Sequence, residues 1–591
     1  MAIIHTKQAG ASLTVRRFGG IDRSCASGND GGSCTMYDLD NLRVGRDGVL
    51  RRRNGFRHLL TLPAAIRGIW SGIFCGERSA FAAAGAKLYR LDLDAGEYTE
   101  IGDLAQGESK VTLFLRQNQL FCLDGESILC YDGSVLRAVE PYIPMVCFER
   151  GIVPDGTVYE PINLIGRQVR FSFLAPGNSP FFLFGYRIAS VDRGLSTESN
   201  GEVTDWTLAE GENGEQYLAF SGSPEKGAVI TVTATLDSSY FRYADVASCT
   251  GAAVWGSTQD SRILCWGGGM QGEIFTSRAV SDAQLTLQQQ QCGTGGELYF
   301  PQSGAVCLGE GKYAVRAVCP QYERLLIFTD GECWSSDLAE DGTQEISVLP
   351  INSGVGCTAD GGAVLAGNDP LTVCDGAVWR WSTSALRRDE CSAERISDAV
   401  ADLIGGDFST DAVVFCARPQ EEIWMADPHS AAGEVFVFHT GLSVWYRFTG
   451  VFTDGFFAWR DEVAFWQGAQ VYCFDQTLMR DEDEHEVREI PFSLTLEGLD
   501  FGDGARLHHL TRAALHFRGK YPAMSMCFRT DRGRQTVRDI SAGGEDGQDH
   551  FIDRAVTSGR FRLLQMTLAG TGETAPEIRG LVLCAEPGGR N

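Results

Sequence analysis

No apolar run in the 591 residues approaches the length needed to cross a membrane. The opening Met1-Ala2-Ile3-Ile4-His5-Thr6-Lys7 also lacks the apolar core of a secretion signal. The expectation is a soluble protein made inside a cell, without membrane insertion. Positive charge is scarce: 51 Lys+Arg face 77 Asp+Glu, a formal −26. Such a chain gains little from counterion release at phosphate, which argues against a DNA grip. A wall of that sign suits solubility, or lets DNA slide past without sticking. Cys-x-x-Cys pairs are absent although there are 19 cysteines, an odd number. Several sit in apolar runs, as in Phe121-Cys122-Leu123, Met145-Val146-Cys147-Phe148 and Val413-Val414-Phe415-Cys416, where a thiol behaves as a small buried hydrophobe. Neither disulfides nor zinc are expected, and the compartment is read as reducing.

Signals of catalysis are sparse as well. There is no G-x-S-x-G elbow, no G-x-x-x-x-G-K-[ST] loop, no H-E-x-x-H and no Ser-x-Asp-x-Gly-x-Thr-Trp box. The nine histidines are scattered, and on a strand His508 and His509 point to opposite faces. Trp266-Gly267-Gly268-Gly269-Met270 is followed by neither a helix start nor a lysine, so it reads as a wide turn. A glycosidase would need carboxylates converging on one point, and a sequence alone shows no convergence. No enzyme, metal site or cofactor is expected. Helix signals are few; the best window is 393–404, with Ile396, Val400, Leu403 and Ile404 on one face.

What the chain has is glycine, 70 residues placed between short apolar runs, the punctuation of many strands joined by tight turns. Four segments read alike: Glu332-Cys333-Trp334, Ala377-Val378-Trp379, Glu422-Ile423-Trp424 and Gln470-Val471-Tyr472. Their aromatic anchors Trp334, Trp379, Trp424 and Tyr472 recur about every 45 residues, the size of one four-stranded propeller blade. Related units occur early, at Lys87-Leu88-Tyr89 and Ser127-Ile128-Leu129. A blade cannot bury both faces alone, so the anchors are expected at equivalent places between neighbouring blades. Chance spacing in a strand-rich chain is the competing reading.

The predicted fold is all-β: a β-propeller of about six or seven blades with an inserted β-domain and a C-terminal β-sandwich. The boundaries are an N-terminal arm and hairpin over 1–60, first blades over 61–144, the insertion over 145–240, remaining blades over 241–478 and the sandwich over 487–591. The acidic run Asp481-Glu482-Asp483-Glu484-His485-Glu486 between the last two reads as a solvated linker rather than a cation site. Arg43, Arg46, Arg51, Arg52, Arg53 and Arg57 form the one dense basic region. They are either an interface for an acidic subunit or DNA phosphate, or exposed arginines around a hairpin.

Three stretches near the N-terminus carry a resemblance: Phe18-Gly19-Gly20-Ile21-Asp22, Tyr37-Asp38-Leu39-Asp40-Asn41-Leu42-Arg43-Val44 and Asp47-Gly48-Val49-Leu50-Arg51-Arg52-Arg53-Asn54-Gly55-Phe56. They resemble the opening of bacteriophage tail structural propellers, the tail-nozzle and tail-hub (packaged-DNA stabilisation) proteins. In the pattern D-G-x-L-x-x-R-x-G-[FY] the arginine is Arg53 and the closing aromatic Phe56. Looser matches are 160–165, 354–357 and 444–448. The resemblance implies a structural part of a virion tail, assembled in the host cytoplasm as a homo-oligomeric ring, a hexamer. It would contact a portal or adaptor ring and other tail proteins, while DNA crosses the lumen without specific binding. The alternative is a host-surface polysaccharide-binding or glycosidase-like propeller, with Trp255 and Trp266 as exposed stacking surfaces.

Overall fold

The computed structural model describes residues 10–24, 29–30, 33–148, 158–174, 181–182, 186–196, 201–202, 206–212, 214, 216–220, 226–256, 261–278, 298–338, 346–384, 387–405, 408–502 and 504–588. The opening heptapeptide read for a secretion signal lies outside them, as does the side chain of Cys147.

Strands dominate, in a propeller-like arrangement. Among the described residues, seven sheets repeat one antiparallel up-and-down pattern. We number them I to VII from their first strands: Ile66–Phe74, Thr112–Arg116, Gly251–Gly256, Val315–Gln321, Ala363–Ala366, Val413–Ala417 and Gly455–Trp459. Each first strand lies beside the next, and that of sheet VII returns to that of sheet I. Short apolar strands and tight turns produce the pattern. In sheet V, Asp375 and Gly376 take φ of 49° and 68°, the paired positive values a two-residue hairpin requires. In sheet II the Asp124 carboxylate accepts the N–H groups of Glu126 and Ser127, closing the turn before Ile128–Tyr131.

Successive sheets bury their faces against each other. Phe81, Ala83 and Leu88 of sheet I share a core with Leu120 and Cys122 of sheet II. Phe328 and Cys333 of sheet IV share one with Trp381 of sheet V. Three of the four aromatic anchors lie on the third strand of their sheets: Trp334 in Cys333–Leu338, Trp379 in Ala377–Ser384 and Tyr472 in Gln470–Asp475. Trp424 does not. It lies on Glu422–Ala426, the second strand of sheet VI. The connection from sheet V and the long turn 427–434 shift the phase of that repeat, and its third strand, Val435–His439, carries Phe436 instead.

Sheet VII is completed from the other end of the chain. Its outer strand is Gly55–Thr61, which pairs antiparallel with Gln470–Asp475, from Gln470↔Thr61 to Asp475↔Gly55. The described residues among the first 60 are thus no separate arm. Ala11–Val15 and Leu50–Arg52 both pair with Glu577–Pro587, and Asp38–Asp40 lies between Val444–Phe448 of sheet VI and Phe492–Leu499. Two C-terminal sheets share one core: Leu494, Met526, Phe528 and Leu568 on one side, Leu510, Leu515, Phe517 and Leu583 on the other.

The acidic run is no solvated linker. Arg480–Glu482 and Val487–Glu489 form a hairpin joined to Gly55–Thr61. The insertion after sheet II carries a six-stranded and a three-stranded sheet around Val169, Phe171, Ile230 and Val232. Asn163 pins its root, donating to the carbonyls of Tyr142 and Leu298 while its Oδ1 accepts the Phe300 N–H. The window 393–404 is helical only at its end: Arg387–Arg395 is the outer strand of sheet V, followed by the turns Asp398–Val400 and Ala401–Ile404.

Candidate functional site at one axial end

The N-terminal arginines do not form a free interface. Arg53 is 1 % exposed and donates Nη1 and Nη2 to the two Asp481 oxygens at 2.8 and 2.6 Å. Its Nε donates to Asn41 Oδ1 at 2.8 Å. Arg52 is also buried and donates to the carbonyls of Gly572 and Met479; burial pulls its pKa down to about 10. Arg43 lies over Trp424 and Phe448 and reaches Glu422 at 3.3 Å. Arg46 pairs with Glu421, Arg51 with Asp47 and Glu577, and Arg57 approaches Asp475 at 3.8 Å. Five of these six arginines thus face acids of the same chain, most of them from later segments. The stacking surfaces fail similarly: Trp266 is buried with Nε1 donating to the Arg316 carbonyl, and Trp255 is half-buried against the core between sheets III and IV.

Charged side chains converge elsewhere, at the axial end where the connections between sheets meet the turns between second and third strands. Arg67, on the first strand of sheet I, is 8 % exposed. It donates to the carbonyls of Gly85, Ala105, Ser109 and Asp124 at 2.7–3.2 Å. These four bonds fix the connection 104–111 and with it Lys110. The Lys110 ammonium lies 3.9 Å from the position a Cβ on Gly361 would take, so it reaches from the I–II connection across to the IV–V connection. Water touches the side chain, yet protein crowds it. That desolvation lowers its pKa, opposed by the carboxylates of Asp360 and Asp411.

Both carboxylates are placed by neighbouring backbone. The Asp360 N–H donates to the Thr410 carbonyl at 2.8 Å, tying the two connections together. Arg316, on the first strand of sheet IV, bridges Asp330 at 2.6 Å and Asp360 at 2.9 Å. Asp411 faces His429 Nε2 at 3.1 Å, and Asp427 accepts the N–H groups of Ser409 and His429. The hydrogen bond to Asp411, helped by the charge of Asp427, raises the His429 pKa. Next to this group opens a cleft of about 480 Å³ with Phe408 and Phe436 on its apolar wall and Asp427, His429, Ser430 and Glu434 on the polar one. The arrangement can hold a polar ligand by charge-assisted hydrogen bonds against an aromatic wall. Among the described residues, no three His, Cys, Asp or Glu side chains are placed to hold a metal ion. Sequence reasoning missed this site. No local motif joins Lys110 to Asp360 and Asp411, 250 and 301 positions later.

No family model and no curated protein matches the chain. Solved structures do. An exo-β-1,3-galactanase from Phanerochaete chrysosporium is 8 % identical, over 80 % of this chain and 95 % of that one, at a TM-score of 0.19. A glycoside hydrolase family 43 arabinoxylan arabinofuranohydrolase from Bacillus subtilis is 10 % identical, over 73 % and 97 %, at 0.21. The extracellular domain of a one-component system from B. thetaiotaomicron is 9 % identical, over 89 % and 80 %, at 0.25. At such scores no residue takes a role from these proteins. The expectation that this chain is not an enzyme is nonetheless withdrawn. The carboxylates that sequence could not show to converge, Asp360 and Asp411, both act on Lys110.

Proposed function

We propose that sheets I to VII are the blades of one closed propeller, capped by a C-terminal β-sandwich, and that its axial end binds polysaccharide as a glycosidase-like site. One observation carries the reading: Asp360 and Asp411, from two connections tied by the Asp360 N–H to Thr410 carbonyl bond, both act on the Lys110 ammonium, near a cleft with an aromatic wall. A sugar needs this mixture, hydroxyls met by carboxylate, ammonium and guanidinium and its apolar face met by a ring. Paired carboxylates are also what glycosidic cleavage requires. The test is retention of the full chain in gels containing single polysaccharides, with reducing ends measured in parallel. The reading expects retention on at least one polymer, weakened in Asp411→Asn and in Asp360→Asn. No retention across neutral and acidic polymers would contradict it.

A second reading, a ring-forming component of a virion tail that meets a portal or adaptor ring, draws on a different observation. The signature residues Asn41, Arg53 and Phe56 are those that interlock the N-terminal segment with sheets VI and VII and with the C-terminal region. The resemblance therefore rests on fold-determining positions. Native mass measurement of the purified chain separates the two: a closed homo-oligomer supports the ring, a monomer the first reading alone.

A further inference from the structure

The solvent face of the C-terminal sheet formed by Asp549–Ala555, His508–Arg518 and Glu577–Pro587 carries an unusual side chain. Phe551 is 75 % exposed, the largest exposure among the large hydrophobic side chains described. It is not loose. His516 stands directly opposite on the neighbouring strand, and the two rings stack with centroids 4.3 Å apart and planes within 9°. Asp549 Oδ1 lies 3.0 Å from His516 Nε2, and the Arg579 guanidinium is 3.7 Å from the same oxygen. On the other side Arg512 Nε reaches both oxygens of Asp553 at 2.7 Å. One face of the Phe551 ring is thus covered by imidazole and the other left to water, between two carboxylate–guanidinium pairs. Beside the rings the surface drops to a low floor, since glycine, Gly580, is the cross-strand neighbour of His516.

We propose that Phe551 is a stacking surface for a pyranose ring of a polysaccharide, a second carbohydrate site separate from the axial end. A protein partner needs a broad apolar area, several hundred Å² on each side, and here a single ring stands among charged groups. A pyranose matches that pattern: its axial C–H face is the size of one aromatic ring, and its hydroxyls radiate toward the planar carboxylates and guanidinia at the rim. Clamping by His516 removes much of the ordering cost.

The test prints neutral and acidic polysaccharides as an array and probes it with the full chain in an Asp411→Asn background, which silences the axial site of the reading above. The chain is expected to bind at least one polymer, Phe551→Ala to weaken that binding about ten-fold, the worth of one aromatic stacking contact, and Phe551→Trp to preserve it. Because Phe551 is exposed, its alanine variant is expected to melt as the parent does. Three outcomes overturn the proposal: no polymer bound in the Asp411→Asn background, binding indifferent to Phe551→Ala, or a loss of oligomeric mass in that variant, which would assign the ring to a second copy. Failure of the axial reading alone appears differently, as wild type and Asp411→Asn binding alike.

Discussion

Arg53 and Asp481 are 428 positions apart in the chain and form a buried bidentate ion pair at 2.6–2.8 Å. Asn41 completes the group. Its Oδ1 accepts from Arg53 Nε and from the Thr449 N–H, and its Nδ2 donates to Thr449 Oγ1 and the Pro491 carbonyl. The N-terminal segment, the VI–VII connection and the entry to the C-terminal region are thereby joined at one point.

Removing one partner leaves a buried charge uncompensated, which costs about 3–5 kcal/mol. Asp481→Asn and Arg53→Met are each expected to lower stability by that order in denaturant titration. The pair Arg53→Met/Asp481→Leu should lose less than the sum, because no lone charge remains.

Gly55 opens the strand that completes sheet VII, and a Cβ there would meet the Arg480 carbonyl oxygen at 1.8 Å. The clash is with backbone and cannot be relieved by a side-chain rotation. Gly55→Ala is expected to detach the 480–489 hairpin, read as new protease cleavage within that segment while sheets II to IV stay protected. An unchanged digestion pattern would contradict the closure described.

His429 supplies the pH-dependence. Asp411 and Asp427 favour the imidazolium, so its pKa stands above the ordinary 6.5. A raised folded value means the stabilisation is complete below the unfolded pKa and fades as pH rises through the folded one. Proton NMR titration should give a midpoint above 6.5, and Asp411→Asn should bring it down.

Burial pushes the thiols of Cys34, Cys249, Cys357 and Cys473 up to about 12, whereas Cys75 and Cys307 are exposed. Of these six, native alkylation followed by mass spectrometry should label Cys75 and Cys307 first and the buried four only on unfolding.

Much of the fold was legible because its signals are local. A strand, a turn and an apolar third strand recur at Trp334, Trp379 and Tyr472, and the break after sheet II marked the insertion. Trp424 matched by spacing only; it lies on a second strand, and the turn 427–434 before the true third strand is longer than the corresponding turn of the other sheets. Outer-strand closure by residues 55–61 was hidden, since nothing near Phe56 or His58 announces a partner more than 400 residues away. The arginines were legible as a cluster, but neither the burial of Arg52 and Arg53 nor the pairing of the others was, because the acids Asp481, Glu422 and Glu577 are equally distant. The axial site was invisible for the same reason: Asp360 and Asp411 act on Lys110 only once sheets far apart in sequence pack together.

Hydrogen exchange of the full chain with and without a bound oligosaccharide tests the central claim most directly. The axial site predicts new protection in 104–111, 353–362, 408–412 and 427–434, carried by three connections between sheets and one turn of sheet VI, and its disappearance in Asp411→Asn. Protection absent from those segments while the oligosaccharide is bound would contradict it.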